Sequence, residues 1–445
     1  METEKKMIVL DDDPTGIQTV HDIYVYTDWS VKSMREGFLS KEKMFFILTN
    51  SRAFTEEKTK KVHQEIVKNI IKASKECSKE FILISRGDST LRGHYPLEMD
   101  VIADELHKAG KSVDGEFLIP FFKEGGRFTQ NDIHYVEING TLVEAAQTEF
   151  AEDKTFGYKN SDLKSYIEEK TKGKYTAKQV VSISLQELIE EKDEELIKKL
   201  LLLNNRTKTV VNAVAEEDIR VLCSALYAAM EQGKTYIFRT AASFVKIFGN
   251  VEEKPLLTTK ELFEEKTQHG GLIIAGSHTD KTTRQLEQLK ETGRFTEIEF
   301  HVGDGKEQEL AGEKDRVMTE VEYHLKQGRS VVVYTSRTFI VQAGEGKEEA
   351  LRRSVGISRA LKDVVEELKV KPKYIVAKGG ITSSDIGVKA LHVKKAFVLG
   401  QIRPAVAVWK TGVESKFPQI PYVIFPGNVG EDDTLKEVAL VLEEG

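Results

Sequence analysis

Residues 7–16 read Met-Ile-Val-Leu-Asp-Asp-Asp-Pro-Thr-Gly, an apolar run that leads directly into three carboxylates and a turn. The apolar run predicts a buried strand, and open α/β sheets bind their ligands at the carboxyl ends of such strands. Pro14 disfavours helical geometry at Asp13 and Gly16 permits a tight turn, so we expect a shaped loop. A solvated turn is the alternative, but three adjacent carboxylates repel each other, which favours a ligand or a proton-transfer role.

The same succession of strand, polar turn and helix recurs along the chain, which predicts an α/β fold with largely parallel sheets. In the first half we expect strands at residues 7–10, 44–48, 81–84, 117–121, 180–183, 209–214 and 235–238, with helices at 56–74, 96–109, 185–203 and 216–232. In the second half we expect strands at 271–275, 329–335, 374–377, 396–399, 405–408 and 422–425, with helices at 282–291, 316–327, 348–368 and 434–444.

The length of 445 residues predicts two domains, because single hydrophobic cores stop growing beyond about 250–300 residues. A charged, turn-like stretch follows Val251, and a fresh apolar run begins at Gly271. We therefore expect two α/β domains, comprising residues 1–255 and 268–445.

Composition excludes several classes of protein. The net charge of −7 arises from 65 basic and 72 acidic residues mixed along the chain, so no basic stripe predicts nucleic acid binding. The two cysteines, Cys77 and Cys223, cannot form a disulfide framework, which favours a cytoplasmic location. The chain begins without an apolar signal core, and no apolar run approaches the ~20 residues of a membrane span. We expect neither export nor a membrane partner, and the sequence leaves a homo-oligomer open.

A second motif, Ser-Arg-Gly-Asp-Ser-Thr-Leu-Arg-Gly at 85–93, also follows an apolar run. Its arginines and Asp88 can hold a hydroxy acid, since guanidinium groups bind carboxylates and a carboxylate binds hydroxyls. The alternative is a helix N-cap formed by Ser89 or Thr90, and both interpretations can hold together. Arg52 is a further basic residue after a predicted strand.

A third cluster at residues 125–136 contains Arg127, Asn131 and His134. A single histidine is more often structural than catalytic, so His134 is a candidate for binding only. In the second half, glycine-bearing loops follow predicted strands at 275–280, 378–385 and 426–430. Each loop alone indicates an ordinary turn, but together they favour one anion pocket lined by backbone N–H groups.

Six of these motifs, in this order, resemble those of the four-carbon acid sugar kinase family over nearly the whole chain. The family opening Asp-Asp-X-Thr-Gly matches residues 12–16, and Asp-Ser-Thr-Leu-Arg-Gly matches 88–93 without a change. The remaining similarities are Gly-Arg at 126–127, Gly-Ser-His at 276–278, Gly-Gly-Ile-Thr-Ser at 379–383 and Pro-Gly-Asn-Val-Gly at 426–430. The chain departs from the family at Pro14, at residues 18–20 and at 131–132, so the identity of the acid stays open.

The resemblance implies an ATP-dependent kinase that phosphorylates the terminal hydroxyl of threonate, erythronate or a 3-oxo-tetronate. The acid and ATP with Mg²⁺ would meet in a cleft between the two domains. Asp12 would accept the hydroxyl proton, with Asp88 as the alternative base, and Arg52 and Arg92 would hold the acid's carboxylate. The resemblance and the motifs together place the acid at Asp12, Arg52, Asp88, Ser89, Thr90, Leu91, Arg92 and Arg127, and ATP at Ser277, Gly379, Gly380, Ile381, Thr382, Ser383 and Gly427.

Two other functions fit parts of the sequence. Asp11-X-Asp13-X-Thr15 fits a haloacid-dehalogenase-type phosphatase, in which Asp11 would be the nucleophile and Asp13 the acid and base. Lys378 and the pair Asp432 and Asp433 would then complete the site. A sugar-acid sensor without enzymatic activity is the other alternative, although no basic patch for DNA accompanies it.

Overall fold

The structure, a computed structural model, describes residues 5–189, 193–264, 267–276, 279–303, 306–336, 347–427 and 429–445. The chain forms two compact units of alternating strands and helices, in agreement with the predicted α/β class. The first unit comprises the residues up to Thr19 together with Asp28–Glu253. The second unit comprises Val20–Thr27 and Lys254–Gly445.

The first half of the chain contains both long helices and short strands. Its strands are β1 (Lys6–Asp11), β2 (Ile23–Tyr26), β3 (Met44–Leu48), β4 (Phe81–Arg86), β5 (Gly115–Ile119), β6 (Arg127–Gln130), β7 (Ile133–Ile138), β8 (Thr141–Glu144), β9 (Val181–Ile183), β10 (Thr207–Val211) and β11 (Tyr236–Thr240). Its helices are α1 (Val31–Leu39), α2 (Glu56–Cys77), α3 (Leu97–Lys108), α4 (Leu163–Lys170), α5 (Leu185–Ile189), α6 (Asp193–Leu202), α7 (Glu216–Glu231) and α8 (Ala242–Phe248).

The first unit is organised around a parallel sheet in the order β3-β1-β4-β11-β5-β10-β9. Every residue of β1 is buried, because the strand lies between β3 and β4 and helices cover the sheet. The helix α2 shows the complementary pattern: Val62, Ile66 and Ile70 recur every four residues on its buried face. A small antiparallel sheet of β6, β7 and β8 lies beside this core.

The second half continues the alternation. Its strands are β12 (Leu272–Ala275), β13 (Thr296–Phe300), β14 (Val331–Thr335), β15 (Ile375–Lys378), β16 (Lys395–Arg403), β17 (Val406–Thr411) and β18 (Pro421–Phe425). Its helices are α9 (Thr259–Leu262), α10 (Asp280–Lys290), α11 (Glu307–Lys326), α12 (Lys347–Glu367), α13 (Gly380–Ser384) and α14 (Thr434–Glu443), and a π-helical segment, Asp385–Ala390, follows α13.

The sheet of the second unit is parallel in one part and antiparallel in the other. Strands β13-β14-β12-β15-β18 run parallel, whereas β17, β16 and β2 continue the order with antiparallel pairings. Residues such as Ile273, Val376 and Val423 form its core together with Leu435 and Val438 of α14. Because β12, β15 and β18 run parallel, their carboxyl ends lie at the same edge of the sheet.

The structure refines the predicted elements. Within the predicted helix over 185–203 it describes the helical stretches α5 and α6, and residues 190–192 lie outside the described part. The hairpin of β16 and β17 is antiparallel, so the second unit is only partly parallel. In the parts of the chain that the structure describes, no helix has the length and hydropathy of a membrane span.

Candidate active site

Three neighbouring parallel strands bring the predicted acid-binding residues to one edge of the first sheet. Asp11, the last residue of β1, lies in register with Leu48 of β3 and Arg86 of β4. Loops that leave parallel strands at the same edge lie close together. The loops at this edge comprise residues 12–16, 49–54 and 87–93.

Asp12 lies between two arginine side chains. Arg52 donates a hydrogen bond from Nη2 to Asp12 Oδ1 over 2.7 Å, and Arg239 Nη2 lies 3.5 Å from Asp12 Oδ2. Only 3% of the Asp12 side chain is exposed, and its Oδ2 atom accepts no hydrogen bond from the described residues. The carboxylate is therefore fixed by charge while one oxygen still has hydrogen-bonding capacity for a ligand.

The other two carboxylates of the opening motif have structural contacts. Asp13 Oδ1 accepts hydrogen bonds from Thr15 N over 2.8 Å and from Thr15 Oγ1 over 2.5 Å, which caps the short 3₁₀ turn Pro14–Ile17. Asp11 is buried beneath Gly16, where an added Cβ would lie 2.0 Å from Asp11 Oδ2. Burial raises the pKa of Asp11 to about 7, and Arg86 opposes this rise from 3.5 Å.

Arg239 connects Asp12 to a second buried carboxylate, Glu98. Its Nη1 atom donates to Glu98 Oε2 and, over 2.9 Å, to Ser85 Oγ. Burial alone would raise the pKa of Glu98. The positive charge of Arg239 is the largest of the effects that lower it, and the pKa falls to about 2. Glu98 thus balances the charge of Arg239 inside the protein. Neither residue was predicted, although Arg239 lies near the end of a buried strand, as Arg86 does.

The loop at 88–93 forms a compact turn around Asp88. Arg92 Nε donates to Asp88 Oδ2 over 2.8 Å, and Thr90 Oγ1 donates to the same oxygen. Burial would raise the pKa of Asp88, but Arg52 and Arg92 hold it well below its usual range. The predicted N-cap role of Ser89 or Thr90 is wrong, because α3 begins only at Leu97.

Arg127 and Arg92 converge on one aromatic ring. The guanidinium carbon of Arg92 lies 5.0 Å from the centre of the Phe150 ring, and that of Arg127 lies 5.9 Å from it. Burial lowers the pKa of Arg127, and Asp88 opposes this effect. Arg127 Nε is buried and has no hydrogen-bond partner among the described residues. This guanidinium therefore has an unused hydrogen-bond donor.

The hairpin that contains Arg127 explains the Asn-Asp pair in the sequence. Asn131 and Asp132 form the turn between β6 and β7 with φ of 51° and 65°, a conformation that these residue types tolerate. His134 in β7 is buried and shares hydrogen bonds with Thr129 Oγ1 and Ser89 O. Both of its nitrogens are engaged within the protein, so His134 is not itself a ligand-binding group.

In the second unit, the loops after β12, β15 and β18 lie together as the sequence predicted. Ala275, Lys378 and Phe425 end these strands in register. Gly427 O accepts hydrogen bonds from Thr279 Oγ1 over 3.3 Å and from Thr282 Oγ1 over 3.2 Å. The predicted contact of Ser277 with ATP lies outside the described residues.

Small residues allow close approach of these loops. Gly379 has φ of 120°, and the helix α13 begins at the next residue, Gly380. Ser383 Oγ donates to Ala377 O over 2.7 Å, which ties α13 to β15. An added Cβ at Gly276 would lie 2.5 Å from Thr382 Oγ1, so only glycine fits there. The side chain of the predicted residue Ile381 lies outside the described part.

Lys378 lies completely buried beneath the loop at 426–430. Its Nζ atom donates to Pro426 O over 2.8 Å and to Gly427 O over 3.3 Å. Burial lowers the pKa of Lys378 to about 7, and nearby Lys281 lowers it further. The sequence assigned a role to Lys378 only in the phosphatase alternative.

The metal prediction stays open. Within the residues that the structure describes, no group of three or more His, Cys, Asp or Glu side chains is arranged to hold a metal ion. The sequence assigned no ligands to the Mg²⁺ expected with ATP.

Family models match both units. A model described as a sugar-binding N-terminal domain matches residues 7–248, and a model described as a nucleotide-binding C-terminal domain matches residues 272–435. The chain belongs to the four-carbon acid sugar kinase family. This kinase family member thus carries a sugar-binding domain that contains Asp12 and a nucleotide-binding domain that contains Lys378. No curated protein matches it in sequence.

Solved structures share the fold of this family member. The Haemophilus influenzae protein HI1011 is 16% identical with a TM-score of 0.67, and the comparison covers 97% of this chain and 99% of that chain. A Salmonella typhimurium LT2 protein described as a putative tRNA synthase is 12% identical with a TM-score of 0.69, over 98% of both chains. At these identities the likeness concerns the fold alone.

Proposed function

We propose that the protein is an ATP-dependent kinase that phosphorylates the terminal hydroxyl of a four-carbon sugar acid of the threonate, erythronate or 3-oxo-tetronate type. The observation that carries this proposal is the environment of the Asp12 carboxylate. This carboxylate is held by Arg52 and Arg239 at the end of a central strand, in a domain that matches a sugar-binding model, and its Oδ2 atom lacks a hydrogen-bond donor among the described residues.

Asp12 is the proposed acceptor of the hydroxyl proton. As the substrate oxygen attacks the γ-phosphorus of ATP, the bond to ADP breaks and the hydroxyl proton passes to Asp12 Oδ2. Phosphoryl transfer needs little more from the protein than alignment and charge stabilisation. Asp88, the alternative base, is the weaker candidate because Arg92 and Arg52 lower its pKa and Thr90 already donates to it.

Arg127 is the proposed partner of the acid's carboxylate. Arg52 forms an ion pair with Asp12 and Arg92 with Asp88, whereas Arg127 forms no ion pair in the described part of the chain; the Nε atoms of Arg52 and Arg127 both lack a hydrogen-bond partner there. A carboxylate that accepts from Arg127 would also lie near Arg92, since both guanidinium groups face the Phe150 ring. Asp88 and the loop residues Ser89, Thr90 and Leu91 would contact the hydroxyls and the carboxylate of the acid.

ATP is proposed to bind at the loops of the second unit, with its phosphates at the amino-terminal end of α13. This assigns nucleotide contacts to Ser277, Gly379, Gly380, Ile381, Thr382, Ser383 and Gly427. Backbone N–H groups at the start of a helix favour phosphate binding, and small residues let the phosphates approach closely. Mg²⁺ would neutralise phosphate charge during the transfer.

The phosphatase alternative is disfavoured by the environment of Asp11. A nucleophile must be ionised, but Asp11 lies beneath Gly16 and burial raises its pKa to about 7, which disfavours the ionised form. Asp13, the acid and base of that scheme, is bonded to Thr15. Family membership and the nucleotide-binding model favour a kinase over both the phosphatase and a sensor without activity.

An ADP-release screen across four-carbon sugar acids and their 2-oxo and 3-oxo forms tests this proposal, with phosphate release measured in parallel. The kinase predicts ADP release that depends on one class of acid and produces no free phosphate. Phosphate release without ATP would support the phosphatase. Tight acid binding with no ATP turnover would support the sensor.

A further inference from the structure

Consecutive carbonyl groups in the loop at 88–93 accept hydrogen bonds from side chains of distant segments. Ser89 O accepts from His134 Nε2 at 2.8 Å, Thr90 O from Tyr158 Oη at 2.9 Å, Leu91 O from Tyr166 Oη at 2.8 Å and Arg92 O from Arg239 Nη2 at 3.4 Å. Four consecutive carbonyls of a short loop are thus each held by a separate donor. We call His134, Tyr158, Tyr166 and Arg239 the carbonyl clamp.

The donors of the carbonyl clamp are themselves rigid. His134, Tyr158 and Tyr166 are 0%, 4% and 1% exposed, respectively. The rings of Tyr158 and Tyr166 pack edge to face with centres 5.6 Å apart. Burial lowers the pKa of His134 to about 4, so its ring is neutral at physiological pH. With Thr129 Oγ1 donating to Nδ1, the neutral ring donates from Nε2 to the loop.

The clamp fixes an unfavourable backbone conformation. Leu91 has φ of 68°, which a branched side chain rarely adopts, and Gly93 has φ of 120°. Such conformations persist where the surroundings hold them, and they cluster at ligand-binding sites. The guanidinium group of Arg239 also fills the space beside Gly93, where an added Cβ would lie 2.6 Å from Nη2.

Holding the carbonyl groups also orients the N–H groups. In a trans peptide each N–H points opposite to the preceding carbonyl, so it points away from the clamp donor that binds that carbonyl. Leu91 N donates to Asp88 O over 3.2 Å. The N–H groups of Thr90, Arg92 and Gly93 have no acceptor in the parts of the chain that the structure describes. Backbone N–H groups without an internal acceptor form the anion sites of other proteins.

We propose that His134, Tyr158 and Tyr166 are positioning residues that aim the N–H groups of the 90–93 loop at the carboxylate of the sugar acid. Arg239 positions the loop in the same way through Arg92 O, in addition to its contact with Asp12. The inference rests on the proposed function. None of the three residues touches the acid, and each acts through the loop.

Single-atom substitutions test the clamp. Tyr158→Phe and Tyr166→Phe remove one hydroxyl and keep the ring packing. Tyr236→Phe is the matched control, because Tyr236 is 2% exposed and donates to Leu200 O over 3.0 Å in the same unit. For each purified variant we would measure KM for the acid, KM for ATP, kcat and Tm.

The clamp predicts that Tyr158→Phe and Tyr166→Phe raise KM for the acid about fivefold each, as the loss of one hydrogen bond implies. KM for ATP stays within about twofold, and Tyr236→Phe changes only Tm. If all three variants lose Tm alike and keep KM for the acid, the clamp is structural and the inference is wrong. If the wild-type protein phosphorylates no four-carbon acid, the proposed function is wrong. The positioning role depends on that function and would then be wrong as well.

Discussion

Arg52 Nη2 lies 2.7 Å from Asp12 Oδ1, and this ion pair sets the geometry of the acid-binding edge. Arg52 follows β3 and Asp12 follows β1, so the parallel pairing of the two strands creates the contact. The pair orients Asp12 so that Oδ2 faces Arg239 at 3.5 Å. Asp12 is thus held in one orientation before any substrate binds.

Asp12→Asn should lower kcat about 10²–10⁴-fold while KM for the acid changes little. The amide oxygen can still accept from Arg52, but the variant also loses the charge that pairs with Arg52 and Arg239. Steady-state kinetics with the best acid measures the effect, and Tm reports on folding. Near-wild-type kcat would remove Asp12 as the base.

Arg127→Met should raise KM for the acid by about 10–100-fold, the range for a lost charge-assisted hydrogen bond. Because Arg127 has no ion pair among the described residues, Tm should fall little. Arg220→Met is the matched control, since the Arg220 side chain is 52% exposed and, among the described residues, its ion pairs are with Glu216 and Glu217 of its own helix. Equal KM values for both variants would contradict the assignment of Arg127 to the carboxylate.

Asp11→Asn should change the pH dependence of stability and leave kcat within about threefold. The native pKa of Asp11 is about 7, above the unfolded value of 3.8. The native state therefore holds this proton more tightly, and the stability that Asp11 contributes below pH 4 is lost as pH rises through 7. Asparagine stays neutral and does not lose this contribution.

Denaturant unfolding of wild type and Asp11→Asn at pH 5 and pH 8 measures this difference. The free energy of unfolding of the variant should increase relative to wild type between the two pH values. An unchanged difference between variant and wild type at the two pH values would show that Asp11 is already ionised in the native state at pH 5. Complete loss of activity in Asp11→Asn, together with an aspartyl-phosphate trapped on wild-type protein, would support the phosphatase instead.

Lys378→Met should raise KM for ATP about tenfold without changing KM for the acid, because the loop at 426–430 loses the donor that binds Pro426 O. Lys373→Met is a matched control in the same unit. Lys373 also donates to two carbonyls, Glu443 O and Gly445 O, but these lie at the end of the chain. If both variants affect KM for ATP equally, the position of Lys378 has no special role in nucleotide binding.

The sequence predicted features that depend on local pattern. The strand before Asp11, the helix predicted at 56–74 and observed at Glu56–Cys77, and the loop at 88–93 follow from apolar runs, spacing and the motifs themselves. The class of fold and the family followed from the same residues.

Contacts between residues that lie far apart in the chain could not be predicted from the sequence. Tyr158 and Tyr166 lie 68 and 75 residues from the carbonyls they bind, and no local pattern distinguishes a tyrosine that clamps a loop from one that fills a core. Arg239 was missed for the same reason. The placement of Val20–Thr27 in the second unit depends on the antiparallel pairing of β2 with β16, residues that lie far apart in the chain.

The most direct test of the central claim is ³¹P NMR of the product formed from ATP and the best sugar acid. The kinase predicts one new phosphomonoester whose phosphorus couples to the two protons on C4, in an amount equal to the ADP released. A phosphoryl group on another oxygen, or inorganic phosphate as the only new phosphorus species, would contradict the proposed function.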